Sequence, residues 1–383
     1  MLTLDGCLGR QHRFRERLNA LSIEAAIITD LRDIYYLSGT FLIGHREMEY
    51  ALLPALLLIE TDGKTHLVAH TEEGVRGVDT CVIYPWHTFG TIHPDVDRQL
   101  CNTVVRRFWD HQPVNRLGWQ QRNMPKALGD CVAEVICPDE WITIDGLLAE
   151  MQRRKDSDEV DTIRQCIQIN SAGYDAAQGA IKPGTNELEV LGASQYGAML
   201  AAGGRIKHLG DYRSGTEHGP ARDRYIRNGE LYIIDAQTYY HGYWSDMSRT
   251  YVVGDDLTDT QLSLFNHISA VHDRVPALLK PGVDGKEVWH ALDAMIREHP
   301  VLAHRGLIHH GGHGIGLRVH EMPDITPERG GAIETGNVLA VEPGGYTKRA
   351  RLGVRIENMY LVTEQGAENL STYPVDLHPQ LMS

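Results

Sequence analysis

Two carboxylates stand at matching places in the second half of the sequence, each at the end of a short apolar run. One run reads GELYIID and ends on Asp235, and the other reads GNVLAVE and ends on Glu342. A carboxylate that closes a buried strand is costly to remove from water unless it meets a cation. Two such acids in similar surroundings therefore predict a metal site that is built across two related halves of the chain.

A second carboxylate follows each of these acids at a spacing typical of a hairpin. Asp246 lies eleven residues after Asp235, in GYWSDMSRTY, and Glu357 lies fifteen residues after Glu342, in GVRIENMYLV. The stretch Pro343-Gly344-Gly345 is predicted to supply the turn after Glu342. Each hairpin would bring its two carboxylates to one point, where four converging acids would repel one another unless cations neutralise them.

The histidine-rich segment IHHGGHGIGLRVHE supplies an imidazole for such a site. His313 is flanked by glycines, which let the backbone approach closely and direct the side chain, so it is the best ligand candidate. The segment is not the HExxH motif of zinc proteases, because Asp324 occupies the second histidine position and Pro323 would disrupt the required helix. Oxygen ligands with a single imidazole favour hard ions, so two Mn²⁺ ions are expected, with Co²⁺, Fe²⁺ or Zn²⁺ as alternatives. Two ions that share a bridging carboxylate lie roughly 3.5–4 Å apart, the spacing used in two-metal hydrolysis.

The elements around the acids are repeated, which predicts an internal duplication. Lys182-Pro183-Gly184 precedes a helical pattern in the first copy, and Lys280-Pro281-Gly282 precedes another in the second. Each copy then offers a histidine, His218 or His320, before its acidic hairpin. Matching landmarks of the two copies are 98, 102, 107 and 111 residues apart, so the spacing drifts only through loop insertions.

Length and residue patterns predict two domains. At 383 residues the chain exceeds the usual size of a single domain. Residues 1–152 alternate helical and strand patterns without a catalytic cluster, and we expect a mixed α/β domain that makes oligomer contacts and one wall of the substrate pocket. A long helix is predicted over 157–180, and residues 153–383 hold the duplicated catalytic domain. The predicted fold class is therefore α+β.

Charge, cysteine content and hydropathy exclude several classes of protein. The chain has 37 basic and 51 acidic residues, a formal charge of −14, which is unsuited to binding a nucleic-acid backbone. Its six cysteines form no CxxC pair and all lie within the first 166 residues, which favours reduced thiols over disulfides or a zinc cluster. The first residues lack the apolar core of a signal peptide, and the longest apolar run, 51–59, is too short to span a bilayer. These features predict a cytoplasmic protein without nucleic-acid or membrane partners.

The motifs, taken in order, resemble those of a known family. They are HG, D, SDxSRT, GHGIGxxxHExP, VEPG and VRIE, and they are spread over residues 155–370. This order is similar to that of the pita-bread metallopeptidases, above all the Xaa-Pro dipeptidases (prolidases) and Xaa-Pro aminopeptidases. The resemblance implies a pita-bread catalytic domain, a creatinase-like N-terminal domain and a homodimer.

The resemblance also implies a set of metal ligands. The family's ligands map onto Asp235, Asp246, His313, Glu342 and Glu357. Asp235 would bind one ion and the pair His313 and Glu342 the other. Asp246 and Glu357 would bridge the two ions.

Catalytic and substrate-binding positions follow from the same resemblance. His218 and His320 would flank the substrate and stabilise the oxyanion, while Glu342 would carry a proton from water to the leaving nitrogen. His309 and Arg355 fall at substrate-side positions, although Arg355 is equally suited to be a charge partner for a nearby carboxylate. A hydroxide that bridges the two ions would then cleave an Xaa-Pro bond in a dipeptide or short peptide.

Three positions near the site depart from the family pattern. Gln237 replaces a usual Gly, Glu217 replaces a common Pro, and Asn358 replaces a frequent Asp. None of them removes a ligand, but Gln237 and Glu217 are placed to reshape the substrate pocket.

These departures keep two alternatives open. One is a same-fold enzyme that acts on a small non-peptide substrate, either as a creatinase-like C–N hydrolase or as a metal-dependent lyase. The other is a non-catalytic binding module. The complete ligand set argues against the creatinase-like branch, which works without metal, and against a binding module. It does not distinguish a peptidase from a lyase that keeps its ligands.

Overall fold

The chain folds into two compact units, Met1–Met151 and Gln152–Ser383, in a computed structural model. The structure describes residues 1–42, 53–108, 113–215, 218–347 and 352–379. Glu217, one of the departures from the family pattern, lies outside the described residues.

The first unit is built on a six-stranded mixed sheet with the strand order β4-β3-β2-β1-β7-β8. Its elements are α1 (Leu4–Ala20), β1 (Ala25–Ile28), α2 (Leu31–Ser38), β2 (Leu56–Glu60), β3 (Thr65–Ala69), β4 (Thr80–Ile83), β5 (His87–Thr88), β6 (Thr91–Ile92), α3 (Val96–Phe108), β7 (Arg116–Trp119), α4 (Lys126–Ile136) and β8 (Glu140–Thr143). A further helix, α5 (Asp145–Arg153), ends just beyond this unit. The central strands β1, β2 and β3 are almost wholly buried, and apolar side chains of α3 and α4 complete their core.

The mixed α/β character predicted for this unit is confirmed. The predicted strands AAIIT, ALLLIE and THLVA appear as β1, β2 and β3, because continuous apolar runs suit strands that are covered on both faces. The sequence did not indicate β4 or β8, whose side chains are partly exposed and lack a clear apolar pattern.

The described part of the second unit contains two larger antiparallel sheets, a two-stranded sheet and the helices that cover them. Its elements are α6 (Ser157–Gln178), α7 (Glu187–Ala202), β9 (Lys207–Ser214), β10 (Leu231–Tyr240), β11 (Tyr243–Val252), α8 (Asp259–His272), α9 (Val275–Leu278), α10 (Gly285–Arg297), β12 (Gly312–Gly314), β13 (Glu321–Ile325), β14 (Val338–Val341), β15 (Gly344–Thr347), β16 (Leu352–Arg355), β17 (Asn358–Thr363) and β18 (Gly366–Asn369). One larger sheet has the order β11-β10-β9, the other has the order β13-β12-β14-β17-β18, and β15 and β16 form the two-stranded sheet. The long helix predicted over 157–180 is α6, which ends two residues earlier.

The predicted duplication recurs in local backbone detail. Gly184 and Gly282 both adopt left-handed φ angles, +86° and +90°, directly after a proline. Two residues later, Asn186 and Asp284 cap the helices α7 and α10 by accepting a backbone N–H through their side chains. Each cap also pairs with a later extended segment, Asn186 with Tyr225 and Asp284 with the residue at 332. The two Lys-Pro-Gly motifs therefore mark the same structural point in each copy.

The two larger sheets of the second unit are joined by a backbone bridge between β11 and the residue just before β17. The Ser248 N–H donates to the carbonyl oxygen of Glu357 at 3.4 Å, and the Glu357 N–H donates to the carbonyl oxygen of Ser248 at 3.0 Å. Because Asp246 lies two residues before Ser248, this bridge brings one acidic residue of each copy together.

Helix α6 closes one side of the first sheet of this unit. The Asn170 amide donates to the Ala236 carbonyl at 2.7 Å, and the Tyr174 hydroxyl bonds to the Ile234 carbonyl at 3.2 Å. These contacts fix the middle of β10, the strand that carries Asp235. Among the described residues, no helix combines the length and the apolar composition needed to cross a membrane.

Candidate metal centre

Asp235 and Asp246 lie on the hairpin formed by β10 and β11. Asp235 is paired with Ser248, and Asp246 with Gln237, which stands two residues after Asp235 on the same face of β10. Both acids are buried, with exposures of 5% and 2%. The predicted hairpin is present, but Asp235 does not close its strand, because β10 continues to Tyr240.

Glu342 and Glu357 flank the second hairpin. Glu342 directly follows β14 and Glu357 directly precedes β17, and these strands pair with Val341 opposite Asn358. The turn predicted at 343–345 is wrong, since Gly344 and Gly345 begin β15 and pair with β16. The chain continues as an extended strand here because the second strand of this inner hairpin supplies the hydrogen bonds.

His313 approaches these acids from β12. The only tautomer that satisfies its surroundings has Nδ1–H donating to the Gly314 carbonyl at 3.0 Å, which leaves the Nε2 lone pair 3.9 Å from Asp246 Oδ2. Burial lowers the pKa of His313 to about 4, with the nearby His320 adding to the effect, so the ring is neutral near neutral pH. A neutral imidazole that is oriented by a backbone carbonyl is the usual form of a metal-binding histidine.

The glycine before His313 is required by close backbone packing. Gly312 has a φ of +154°, and a Cβ at this position would lie 2.2 Å from the Ala340 carbonyl oxygen. Any other residue would push β12 away from β14 and move the His313 ring away from its position beside Asp246.

Two groups of side chains have ligand atoms that all lie within 4.8 Å of one another in the acidic centre. One group is Asp246, His313 and Glu357, and the other is His310, His313 and Glu342. Asp235 belongs to neither group, and its carboxylate pairs with the guanidinium of Arg355. The structure therefore brings four predicted ligands into two overlapping groups and sets Asp235 beside them in an ion pair.

A third acidic group, near the start of α6, has a structural explanation. It consists of Asp156, Asp158 and Glu159. The Glu159 carboxylate accepts the Asp156 backbone N–H at 2.9 Å, so these acids belong to the cap of the helix.

The pKa values of the four predicted carboxylate ligands are shifted from the ordinary range. Burial raises the pKa of Asp235, an effect that Arg355 opposes. Burial and the neighbouring acids raise the pKa of both Asp246 and Glu357 well above the ordinary range. Burial also disfavours ionisation of Glu342, but His310 and Arg355 outweigh it and hold the pKa of Glu342 below its usual value.

The residues present fit a pair of divalent cations. Asp246 Oδ1 and Glu357 Oε2 are fully enclosed and have no hydrogen-bond partner among the described residues. An enclosed carboxylate oxygen without a partner is costly. Cations between these oxygens and the lone pair of His313 would remove that cost and the repulsion between the acids.

Metal affinity at this centre should decrease as the pH decreases. Protons compete with cations for Asp246 and Glu357, whose pKa values are raised, so binding weakens as pH falls through those values. We expect a fixed Mn²⁺ concentration, about 100 times the Kd measured near pH 8, to raise the Tm by about 5–10 °C near pH 8. The same concentration should raise the Tm by far less near pH 5.

The metal-free protein should show the opposite trend. Because these two carboxyls bind protons more tightly in the folded than in the unfolded chain, its stability should rise as pH falls through their raised values. Thermal unfolding across this pH range, with and without Mn²⁺, measures both trends. An equal Mn²⁺ effect at the two pH values would contradict the prediction.

His309, Tyr346 and Arg355 form a hydrogen-bonded group beside the acids. The Tyr346 hydroxyl accepts from Arg355 Nε at 2.8 Å and lies 3.1 Å from His309 Nε2. Arg355 is 5% exposed, and its Nη1 pairs with Asp235. This geometry favours the interpretation of Arg355 as a charge partner for a carboxylate. The sequence did not indicate Tyr346, since a single Tyr between Gly345 and Thr347 carries no chemical signal.

His218 and His320 contact different residues of the centre. The His320 ring stacks on His313 at 3.8 Å with an interplanar angle of 11°. His218 lies 5.8 Å from the Tyr346 ring, and its Nδ1 is 3.2 Å from Asp211 Oδ2. Both histidines are partly exposed, as residues that meet a substrate must be.

Two departures from the family pattern can be placed. The Gln237 amide reaches Asp235 Oδ1 at 3.4 Å, so this side chain stands among the predicted ligands. Asn358 is 2% exposed, and its Oδ1 accepts from Arg249 Nη2 at 2.8 Å. Asn358 therefore binds Arg249, whose guanidinium also donates to the Glu357 carbonyl oxygen.

Comparison with known proteins identifies the family. A model described as metallopeptidase family M24 matches residues 161–364, and a model of the creatinase/prolidase N-terminal domain matches residues 10–153. The chain belongs to metallopeptidase family M24. Family M24 metallopeptidases use divalent cations, and the acidic and histidine groups described above supply residues for them.

Several relatives have a similar sequence or fold. The chain is 33% identical to the Xaa-Pro dipeptidase of Pyrococcus furiosus over 61% of its length and 67% of the relative's. It is 30% identical to the uncharacterized peptidase YqhT of Bacillus subtilis over 69% of its length and 75% of the relative's. The crystal structure of an X-Pro aminopeptidase from Thermotoga maritima has a TM-score of 0.77 at 23% identity, covering 95% of this chain and 99% of the other. The predicted pita-bread domain and its creatinase-like N-terminal domain are thus confirmed.

Proposed function

We propose that this M24 metallopeptidase cleaves Xaa-Pro bonds in dipeptides or short peptides with the aid of two divalent cations. One observation carries the proposal. Carboxylate oxygens of Asp246 and Glu357, enclosed and without a hydrogen bond in the described part of the chain, meet the oriented lone pair of His313. The sequence similarity to an Xaa-Pro dipeptidase supports this choice of substrate.

The residues that would hold the cations are those of the two hairpins and β12. They are Asp235, Asp246, His313, Glu342 and Glu357. When bound, two such cations lower the pKa of water and polarise the carbonyl group of the substrate. Mn²⁺ is the ion proposed first, because most of these ligands are carboxylates.

Glu342 is the proposed proton carrier. It is 4% exposed, and the nearby His310 and Arg355 hold its pKa low, so it is in the ionised form that a proton acceptor needs. A proline nitrogen in an amide bond has no hydrogen and must gain a proton before it can leave. A single carboxylate within reach of both the water and that nitrogen performs both transfers.

The histidines around the centre are proposed to bind and polarise the substrate. His320 and His218 would donate to the carbonyl oxygen and its neighbours, where negative charge develops. His309 has its Nε2 beside the Tyr346 hydroxyl, and burial lowers its pKa to about 4, so it would offer a neutral ring to the substrate. Arg355 would act mainly by keeping Asp235 and Glu342 ionised, since it lies against both.

Other features stay predictions. They are a homodimer, a cytoplasmic location and a role of residues 1–152 in oligomer contacts and in one wall of the pocket. Gel filtration with light scattering on the full chain tests the dimer.

The function is tested by a peptide panel on Mn²⁺-loaded protein. Xaa-Pro dipeptides with small, apolar and charged first residues are compared with Xaa-Pro-Xaa tripeptides and with Xaa-Ala dipeptides of the same first residue. We expect release of free proline from the dipeptides, at least about a hundredfold faster than cleavage of Xaa-Ala, a preference of about 3 kcal/mol.

The panel also separates the alternatives. Preferential cleavage of tripeptides would identify an aminopeptidase. Bound metal without cleavage of any Xaa-Pro bond would reject the proposal and favour the non-peptide substrate class. Failure to bind metal at all would favour a binding module.

A further inference from the structure

His310 stands beside the metal centre but is not one of the five ligands that the family resemblance implies. We propose that His310 is an additional ligand, a second imidazole on the ion held by His313 and Glu342. This inference rests on the proposed two-metal centre, and it makes one of the two ion positions richer in nitrogen than the other.

The distances around His310 match those between neighbouring ligands of one ion. Its Nδ1 lies 3.0 Å from Glu342 Oε1. Two ligand atoms that are each about 2.1 Å from an ion and meet at a right angle are roughly 3.0 Å apart. The ligand atoms of His310, His313 and Glu342 also all lie within 4.8 Å of one another.

The Nδ1 atom of His310 has the surroundings of a ligand. It is fully enclosed, and its approach to Glu342 lacks the geometry of a hydrogen bond, so the described residues offer it no hydrogen-bond partner. A third of the His310 side chain is exposed, which leaves the other edge of the ring accessible. An enclosed nitrogen without a partner is expected to bind something, and a cation between it and Glu342 satisfies both atoms.

Two imidazoles on one ion change which metal is favoured there. Imidazole suits Zn²⁺ and Co²⁺ better than Mn²⁺, whereas carboxylates suit Mn²⁺. The position of His310, His313 and Glu342 should therefore prefer Zn²⁺ or Co²⁺. The position on the side of Asp235 has only carboxylates and should prefer Mn²⁺.

Metal titration of full-length variants tests the inference. His310→Ala removes the imidazole, and His310→Gln removes it but keeps an amide that could donate to Glu342. The control is His304→Ala, which changes an exposed histidine in the same half of the chain. Calorimetry with Zn²⁺ and with Mn²⁺, and the visible absorption of bound Co²⁺, report binding without reference to catalysis.

We expect both His310 variants to lose at least about tenfold in Zn²⁺ affinity at one of two positions, and less than about threefold in Mn²⁺ affinity. The Co²⁺ spectrum should change in both variants and stay unchanged in His304→Ala. Unchanged Zn²⁺ affinity in the variants would overturn the inference. Full retention of Zn²⁺ affinity in His310→Gln, with a loss in His310→Ala, would also overturn the inference, because His310 would then only orient Glu342.

A crystal structure of the Zn²⁺-loaded wild-type protein decides the question even if the variants do not fold. The inference requires a nitrogen of His310 within about 2.1 Å of an ion, and a distance beyond about 3 Å rejects it. Protein that binds two ions through His310 but releases no proline would reject the proposed function and keep this inference. Release of proline by the wild-type protein, with an unchanged metal preference in the His310 variants, would support the proposed function and reject this inference.

Discussion

Replacing Asp246 with Asn is expected to lower kcat/KM for Xaa-Pro cleavage by at least about a thousandfold, or about 4 kcal/mol. The amide keeps the size of the side chain but lacks the charge, and its nitrogen cannot bind a cation. Asp246 stands in the group with His313 and Glu357, so its loss should also remove most of the Mn²⁺-induced rise in Tm.

The same variant should not lower the stability of the metal-free protein. Burial and nearby acids raise the pKa of Asp246, so near neutral pH its charge destabilises the folded chain, and a neutral amide relieves that repulsion. Differential scanning calorimetry with and without Mn²⁺ measures both effects. The matched control is Asp293→Asn, since Asp293 pairs with Arg297 away from the acids. A lower metal-free Tm for Asp246→Asn, or retained activity, would contradict the proposed role.

Replacing Arg249 with Lys is expected to cost about 2–4 kcal/mol of stability, a fall in Tm of roughly 5–15 °C. Arg249 is 1% exposed, and its guanidinium donates five hydrogen bonds. The acceptors are the carbonyl oxygens of Ser248, Glu357, Tyr373 and Pro374 and the side-chain oxygen of Asn358. A Lys ammonium has three donors and no planar fork, so at least two of these buried acceptors would lose their partners.

The Arg249 variant should also weaken metal binding. Two of the acceptors are the carbonyl oxygens of Ser248 and Glu357, which also form the backbone bridge that aligns the two acidic hairpins. Thermal unfolding and Mn²⁺ titration of the same samples would show the two losses together. Arg164→Lys is the control, since Arg164 is 42% exposed and its ion pairs should contribute less than about 1 kcal/mol. Equal losses of Tm and Mn²⁺ affinity in the two variants would show that the five hydrogen bonds of Arg249 do not stabilise the protein more than surface ion pairs do.

The two copies of the duplicated unit differ at one informative position. His313 precedes His320 by seven residues, and Asp211 precedes His218 by the same interval. In the first copy the Asp211 carboxylate lies 3.2 Å from His218 Nδ1, whereas in the second copy the His313 ring stacks on His320. The duplication therefore supplies acids symmetrically but an imidazole from one copy only, so the two ion positions differ.

The chemistry of the centre could be predicted from the sequence because its signals are local. Each pair of acids lies on or next to one pair of antiparallel strands, and apolar runs at hairpin spacing indicate such pairs without knowledge of the rest of the fold. The turn predicted at 343–345 was wrong, because the strand pair β15 and β16 lies between the second pair of acids. The glycines around His313 mark a close backbone approach in the same way, as the contact of Gly312 with Ala340 demonstrates.

Other features of the centre could be learned only from the tertiary structure, because they depend on contacts between segments that are distant in the sequence. The ion pair of Arg355 with Asp235, the hydrogen bonds of Arg249 and the approach of His310 to Glu342 all depend on strand register or on the fold of a loop. A run of residues encodes its own conformation through side-chain period and turn chemistry, but not which remote backbone completes its hydrogen bonds. For that reason the ligand types followed from the sequence of this protein. The partners and charge states of these ligands followed from contacts within and between the two copies. The continuation of β10 beyond Asp235 followed from its pairing with β9 and β11.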